Sequence, residues 1–236
     1  DEEPPHPLNE EALKIALQIA LLLNCTIQPL TQIMRKTVID GSNTSGFQRT
    51  VMIARDGFII TNEGRVGIDA VFLEEDAARP ANGGDDDGNS KVYKLDRLGI
   101  PMIEISTAPD IKNPEQAKEA ALILGDVLRS CKVKRGIGTI RQDINMSIKG
   151  GNRVEIKGMQ DMKMFIKTIN MEIERQLAVV KSGKKVEKEV RNAMPGGTTE
   201  FLRPMPGSAR MYPETDLPLL KIHLDFINYA KKTLPR

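Results

Sequence analysis

The stretch from Val71 to Ile111, VFLEEDAARPANGGDDDGNSKVYKLDRLGIPMIEISTAPDI, sets acids at the ends or in the middles of apolar runs. Val71-Phe72-Leu73 stops at Glu74-Glu75-Asp76, and Ile100 to Ile105 is interrupted by Glu104. Alternate residues of an extended strand share a face, so Glu104 points with Ile100 and Met102. A carboxylate on an apolar face is costly to bury without compensation. Two compensations are open. Converging acidic oxygens could take a hard cation, Mg2+ or Ca2+. Alternatively the acidic run is a solvated strand end and Glu104 pairs with a nearby Arg or Lys.

A chain of 236 residues is long enough to bury a sizeable core, as one large domain or two small ones. A net charge of +2 gives no general argument for nucleic-acid or membrane binding, so any such contact must come from a local patch. The absence of Trp and 4% aromatic content argue against an extended base-stacking platform. Cys25 and Cys131 are too few for a disulfide framework; in apolar helical patterns they read as buried thiols of a reducing, cytoplasmic compartment. The longest apolar run, near Ala20 to Leu23, is far too short to span a bilayer. The chain begins on DEEPPHP rather than on Met, as though cut from something longer.

Asn9 before Glu10-Glu11 is a helix cap with acids in the first turn, and Leu13, Ala16, Leu17, Ala20 and Leu21 recur at helical spacing behind it. Thr31 to Ile39 reads as a strand. The loop DGSNTSG (Asp40 to Gly46) could offer backbone N–H groups to a phosphate but lacks the lysine and spacing of a P-loop, and an ordinary turn is the simpler reading. Asp56-Gly57 between β-rich runs predicts a hairpin turn. Residues 81–90, ANGGDDDGNS, read as a flexible solvated loop; their adjacent aspartates lack calcium-loop spacing.

Asn113-Pro114-Glu115 opens a second helix, which runs to about Cys131. The basic run from Lys132 to Arg135 suits that helix's dipole or touches phosphates. GTIRQDINMSIK and RVEIK alternate apolar and polar residues around a Gly-rich turn and predict an antiparallel hairpin. One face carries Ile140, Ile144, Met146, Val154 and Ile156. The other carries Arg141, Asp143, Glu155 and Lys157, a mixture better suited to a nucleotide and its metal than to a plain surface. A long helix from about Asp161 to Val180 follows, with Ile166, Ile169, Ile173 and Leu177 as its buried stripe. Residues 184–200 are polar and irregular. Arg203 to Pro218 is a proline-rich connector, and Leu220 to Thr233 begins another helix.

FQRT (Phe47 to Thr50), LEEDAAR (Leu73 to Arg79), LDRLGIPMIEI…APDI (Leu95 to Ile111), GTIRQDINMSI (Gly138 to Ile148), RVEIK (Arg153 to Lys157) and RPMPGSARMYPETDLP (Arg203 to Pro218) together resemble the GatB/GatE family over nearly the whole chain. DGSNTSGFQRT and RMYPETD are closer to its archaeal GatE branch than to bacterial GatB. The resemblance implies an α+β, antiparallel-sheet catalytic cradle related to the glutamine synthetase/guanidino kinase fold. Residues 1–201 would be that cradle, and residues 202–236 a connector and the start of a helical region. It implies a ligase that uses ATP and Mg2+ to phosphorylate the glutamate of misacylated Glu-tRNA(Gln). An amidase partner subunit of the GatD kind would supply the ammonia that displaces phosphate and leaves Gln-tRNA(Gln). By resemblance Glu75 and Glu104 match magnesium-ligating positions and Glu74 is a second-site candidate. Arg141, Asp143, Glu155 and Lys157 lie in the family's hairpin as catalytic, nucleotide or metal contacts.

This sequence departs from the family pattern in lacking its N-terminal Gly-Leu-Glu-Ile-His motif, its inserted domain (the chain passes directly from Lys181 to Glu189) and its C-terminal tRNA-binding domains. The expectation is a fragment, a set of ordered pieces or a reduced paralogue, inactive alone. The rival readings are a catalytically dead RNA- or protein-binding module, which has no use for so many acids, and a metal-dependent kinase of another small carboxylate or guanidino compound.

Overall fold

The computed structural model describes residues 4–81, 90–207 and 209–235; residues 82–89 of the loop expected to be flexible lie outside the described residues. In chain order the elements are α1 (Glu10–Leu22), β1 (Thr26–Ile27), β2 (Leu30–Thr31), β3 (Ile33–Thr37), β4 (Phe47–Thr61), β5 (Gly64–Glu75), β6 (Arg79–Pro80), β7 (Tyr93–Lys94) and β8 (Pro101–Thr107). Then come α2 (Pro114–Ser130), β9 (Ile144–Met146), β10 (Val154–Lys157), α3 (Phe165–Lys181), β11 (Glu189–Ala193), β12 (Thr199–Pro204), β13 (Met211–Pro213), β14 (Leu220–Lys221) and α4 (Leu224–Lys232). The class is α+β with predominantly antiparallel strands. The chain forms two compact units, residues 1–59, 65–110 and 208–236 in the first, and residues 60–64 and 111–207 in the second. The C-terminal strands and α4 therefore belong to the first unit.

The first unit is built on a sheet of order β13-β3-β4-β5-β8, with β1 also on β4. Asn9 caps α1 by accepting from the Ala12 amide, as its sequence predicts. The apolar face of α1 (Leu13, Ala16, Leu17) packs with Ile33, Val51, Ile53 and Leu73 of the sheet and with Ile222 and Ala230. Leu17 and Ile53 are wholly buried; each such side chain contributes about 1.5–3 kcal/mol.

The expected turn at Asp56-Gly57 is absent: β4 runs on to Thr61 and turns at Asn62-Glu63. Asp56 adopts φ 57° and bends the strand while Arg55 pairs with Thr26. Gly57 is required by close approach, since a Cβ there would sit 2.3 Å from Cys25 Sγ and 2.4 Å from the Leu23 carbonyl oxygen. Tertiary packing thus overrides the local turn signal.

The second unit is built on a sheet of order β12-β11-β10-β9. The predicted hairpin forms, with Glu155 opposite Asn145 and Val154 opposite Met146, but it is shorter than the alternation suggests. The stretch 184–200, expected to be irregular, supplies β11 and the start of β12. β10 and β11 are parallel and joined through α3, a connection parallel strands require. α2 and α3 cover Val154 and Ile156 in a core with Ala117, Ala121, Phe165 and Ile169.

The buried stripe of α3 also differs from expectation. Leu177 is 41% exposed, whereas Glu172 and Gln176 are almost wholly buried. Arg175 forms a fork to Glu172 at 2.7 and 3.0 Å, and Thr199 donates to it at 2.7 Å. A polar stripe replaces an apolar one because the strands beside α3 present Arg191 and Glu189, themselves paired at 2.8 Å.

Candidate functional site

β5 and β8 lie side by side, with Phe72 opposite Glu104 and Glu74 opposite Met102. Directly paired and alternate residues share a face, so Glu74 and Glu104 share one. Glu75 follows Leu73 onto the other. The convergence expected of Glu74, Glu75 and Glu104 does not form, because one residue of register separates Glu75 from the other two.

Each face supplies its own cations. On the Glu74 face, Lys36 Nζ lies 2.6 Å from Glu74 Oε1 and 3.8 Å from Glu104 Oε2. Thr50 Oγ1 donates to Glu74 at 2.8 Å and Gln48 Nε2 at 3.4 Å. Lys36 and Thr50 come from β3 and β4, whose register places Lys36 opposite Gln48 and Met34 opposite Thr50.

On the Glu75 face, Arg35 and Arg49 are directly opposite each other and both stack on Phe47, at 4.5 and 5.0 Å from its ring centre. Between them sits Glu214, 2% exposed. Arg35 donates to it at 2.6 and 2.9 Å, and Arg49 Nε at 2.8 Å. Each guanidinium also reaches a more solvated carboxylate, Arg35 to Asp216 at 2.9 Å and Arg49 to Glu75 at 3.3 Å. The hydrogen-bonded Arg35 guanidinium holds the Glu214 carboxyl down to about 2.

Sequence reasoning misses Glu214, Arg35, Arg49 and Lys36. Glu214 lies in a proline-rich run that reads as a connector; its signal is an acid locked into that run, beside a second acid at Asp216.

In the second unit Lys157 Nζ lies 2.8 Å from both Asp143 Oδ2 and Glu155 Oε1. Burial alone would lower the Lys157 pKa; its hydrogen bonds to the two carboxylates outweigh that and raise it. Asp143, Glu155 and Lys157 are thus brought together as the alternation predicts. Arg141 precedes β9 in an exposed, irregular stretch.

Among the described residues, no group of three or more His, Cys, Asp or Glu is placed to hold a metal ion. The expected three-carboxylate set does not fit, because β5 divides it between two faces. What exists instead is carboxylate pairs, Glu74 with Glu104 and Glu75 with Glu214, each sharing one cation of the chain.

The chain is similar to known proteins. The family described as GatB/GatE catalytic domain matches residues 3–228. The GatE subunit of the glutamyl-tRNA(Gln) amidotransferase of Methanocaldococcus jannaschii is 60% identical over 182 residues, which is 77% of this chain and 28% of that protein. The corresponding GatE subunits of Methanothermobacter thermautotrophicus and Pyrococcus furiosus are 53% and 57% identical, over 76% and 77% of this chain and 29% and 28% of their own lengths. The chain spans under a third of the length of these curated relatives. Among the described residues, no helix is long and apolar enough to cross a membrane.

Proposed function

This chain belongs to the GatB/GatE catalytic domain family, and from that premise we propose that it carries the carboxylate-activating part of a glutamyl-tRNA(Gln) amidotransferase. The observation that supports this reading most is the meeting of three motifs far apart in sequence. Arg49 of FQRT, Glu75 of LEEDAAR and Glu214 of RMYPETD join at one end of one sheet. Phosphoryl transfer needs charged groups held in fixed positions, and here acids and cations converge without forming a plain hydrophobic interface.

The proposed reaction has two steps. The glutamate carboxylate on Glu-tRNA(Gln) attacks the terminal phosphoryl group of ATP, forming an acyl phosphate and releasing ADP. Ammonia then attacks the acyl carbon; phosphate leaves with the C–O bonding pair, and the surplus ammonium proton passes to a base or water, giving Gln-tRNA(Gln). Phosphoryl transfer demands in-line positioning and cations facing the charge that develops on the transferring oxygens. In this reading the buried Glu214 takes N–H groups of Arg35 and Arg49 and so holds the two guanidiniums in place, and their positive charge faces the transferring oxygens. Lys36 holds Glu74 and Glu104 apart from them on the opposite face. In the second unit, Arg141, Asp143 and Lys157 are a candidate nucleotide contact of their own, with Glu155 positioning the Lys157 ammonium.

ATP would bring Mg2+ with its phosphates, which needs only one or two protein carboxylates; on the face of the two arginines the candidate is Glu75, the more accessible member of its pair, and Glu104 is a candidate only for the opposite face. The ammonia would come from an amidase partner subunit of the GatD kind, making the working enzyme a hetero-oligomer in the cytoplasm. The fold is read as a catalytic cradle of the glutamine synthetase/guanidino kinase kind.

The test is conversion of Glu-tRNA(Gln) to Gln-tRNA(Gln) by the chain assembled with an amidase partner, ATP and Mg2+, followed by separation of the released amino acids. Arg49→Ala should lower the rate by about 10²- to 10³-fold, the scale of one lost charge-stabilising donor. Unchanged conversion by that variant would remove the proposed role of this cluster.

A further inference from the structure

We propose that the loop between α2 and β9 is a docking surface for the sugar–phosphate backbone of RNA, a proposal that rests on the tRNA reading above and gives that substrate a place on the second unit. Between Asp126 and Asp143 the chain holds five cations, Arg129, Lys132, Lys134, Arg135 and Arg141, and no acid. Three of them, Arg129, Lys134 and Arg135, line a cavity of about 310 Å³ together with Thr139 and Gln160. The loop is shaped by its own bonds: Arg135 Nη2 donates to the Arg129 carbonyl at 2.6 Å and Thr139 Oγ1 to the Gly136 carbonyl at 2.8 Å.

The helix dipole does not account for these charges. α2 ends at Ser130 with Arg129 already in its last turn, and the dipole's effect fades beyond that turn. Lys134 and Arg135 stand past it. Gly136 and Gly138 both take positive φ, 131° and 79°, and they present Ile137 between them fully exposed. An apolar tip flanked by glycines and cations suits a ribose or base face beside the phosphates.

RNA is favoured over a free nucleotide for two reasons. The cations are strung along the loop rather than focused on one point, and among the described residues no aromatic side chain lines the cavity to hold a base. Electrostatic contact of this kind carries a salt signature, a slope of about −0.7 to −0.9 in log affinity against log salt per phosphate neutralised.

The experiment is fluorescence anisotropy of labelled tRNA(Gln) with the 236-residue chain, titrated at several salt concentrations, beside ATP binding by calorimetry. Lys134→Ala/Arg135→Ala should weaken tRNA binding at least about tenfold and flatten the salt slope by about 2, leaving ATP binding unchanged. Lys134→Gln, near-isosteric at an exposed position, should flatten it by about 1 and guards against a misfolded double variant. If the unaltered chain binds tRNA and both variants bind it equally well, the docking surface is refuted and the tRNA reading stands. If the variants lose ATP instead, the loop is a nucleotide site and the proposal is likewise refuted. If the unaltered chain binds no tRNA, the loop is no docking surface and the proposal is refuted, whereas the tRNA reading itself is decided by the conversion assay above.

Discussion

Glu74 and Glu75 are neighbours in the chain but take cations on opposite faces of the sheet, Lys36 at 2.6 Å for Glu74 and Arg49 at 3.3 Å for Glu75. Their environments differ as much as their directions. The Glu74 side chain is 3% exposed and that of Glu75 is 34%. A buried carboxylate that loses its cation is left uncompensated in a medium that cannot solvate it. Lys36→Met should therefore destabilise the chain by about 3 kcal/mol, read as a lowered urea midpoint. Glu75→Gln should cost under about 1 kcal/mol, because its pair is long and partly solvated, while still lowering activity. Equal destabilisation by the two changes would contradict this division of labour.

Glu214 makes stability depend on acid. Its carboxyl is lowered from the ordinary 4.5 to about 2, foremost by its hydrogen bond to Arg35. A group depressed on folding contributes stability in full above its unfolded value. That contribution is lost as pH falls through the folded one. The window runs from about 4.5 down to about 2. Glu214→Gln should lower the melting temperature at pH 7 and flatten its decline across that window. An acid limb as steep as that of the unaltered chain would show that another carboxylate carries it.

The sequence made the helices legible because their signals are local. Asn9 and Asn113 accept from the amides of Ala12 and Gln116 as their caps predict, and Val154 and Ile156 alternate into the core. Asp143, Glu155 and Lys157 were legible for the same reason, since period-two spacing places them on one face. The metal trio failed on the same rule: alternation separates Glu74 from Glu75, and only the pairing of Phe72 with Glu104 shows which of them Glu104 joins. Glu214 was illegible as a site residue because its partners, Arg35 and Arg49, lie 179 and 165 positions away. The polar stripe of α3 was hidden likewise, for Glu172 is tolerable only beside Arg175 and Thr199.

Lys157 holds two carboxylates at 2.8 Å each on the open side of its strand. Lys157→Met would leave Asp143 and Glu155 repelling each other and any phosphate brought near them. ATP-dependent conversion should fall by about 10²-fold or more, with partial recovery in Lys157→Arg, because electrostatic stabilisation follows the retained charge. Steady-state rates at saturating tRNA measure this. Recovery by Lys157→Gln equal to that by Lys157→Arg would argue for packing rather than charge.

The bend in β4 gives the last prediction, and it concerns folding alone. Gly57 backs onto the segment after α1 so closely that any side chain must displace something. An added Cβ meets Cys25 Sγ at 2.3 Å and the Leu23 carbonyl oxygen at 2.4 Å. The second contact matters more, because that oxygen accepts the Phe58 amide at 2.8 Å and belongs to the backbone. A sulfur can rotate away; a hydrogen-bonded backbone carbonyl at a helix end cannot. Gly57→Ala should cost about 2–3 kcal/mol, the upper part of the range for overpacking. Removing the sulfur in Cys25→Ala/Gly57→Ala should recover only a minor part of that loss, since the carbonyl contact persists. Chemical denaturation of the two single variants and the double variant forms a complete cycle. Full recovery in the double variant would show that Cys25, and not the Leu23 backbone, sets the requirement for glycine.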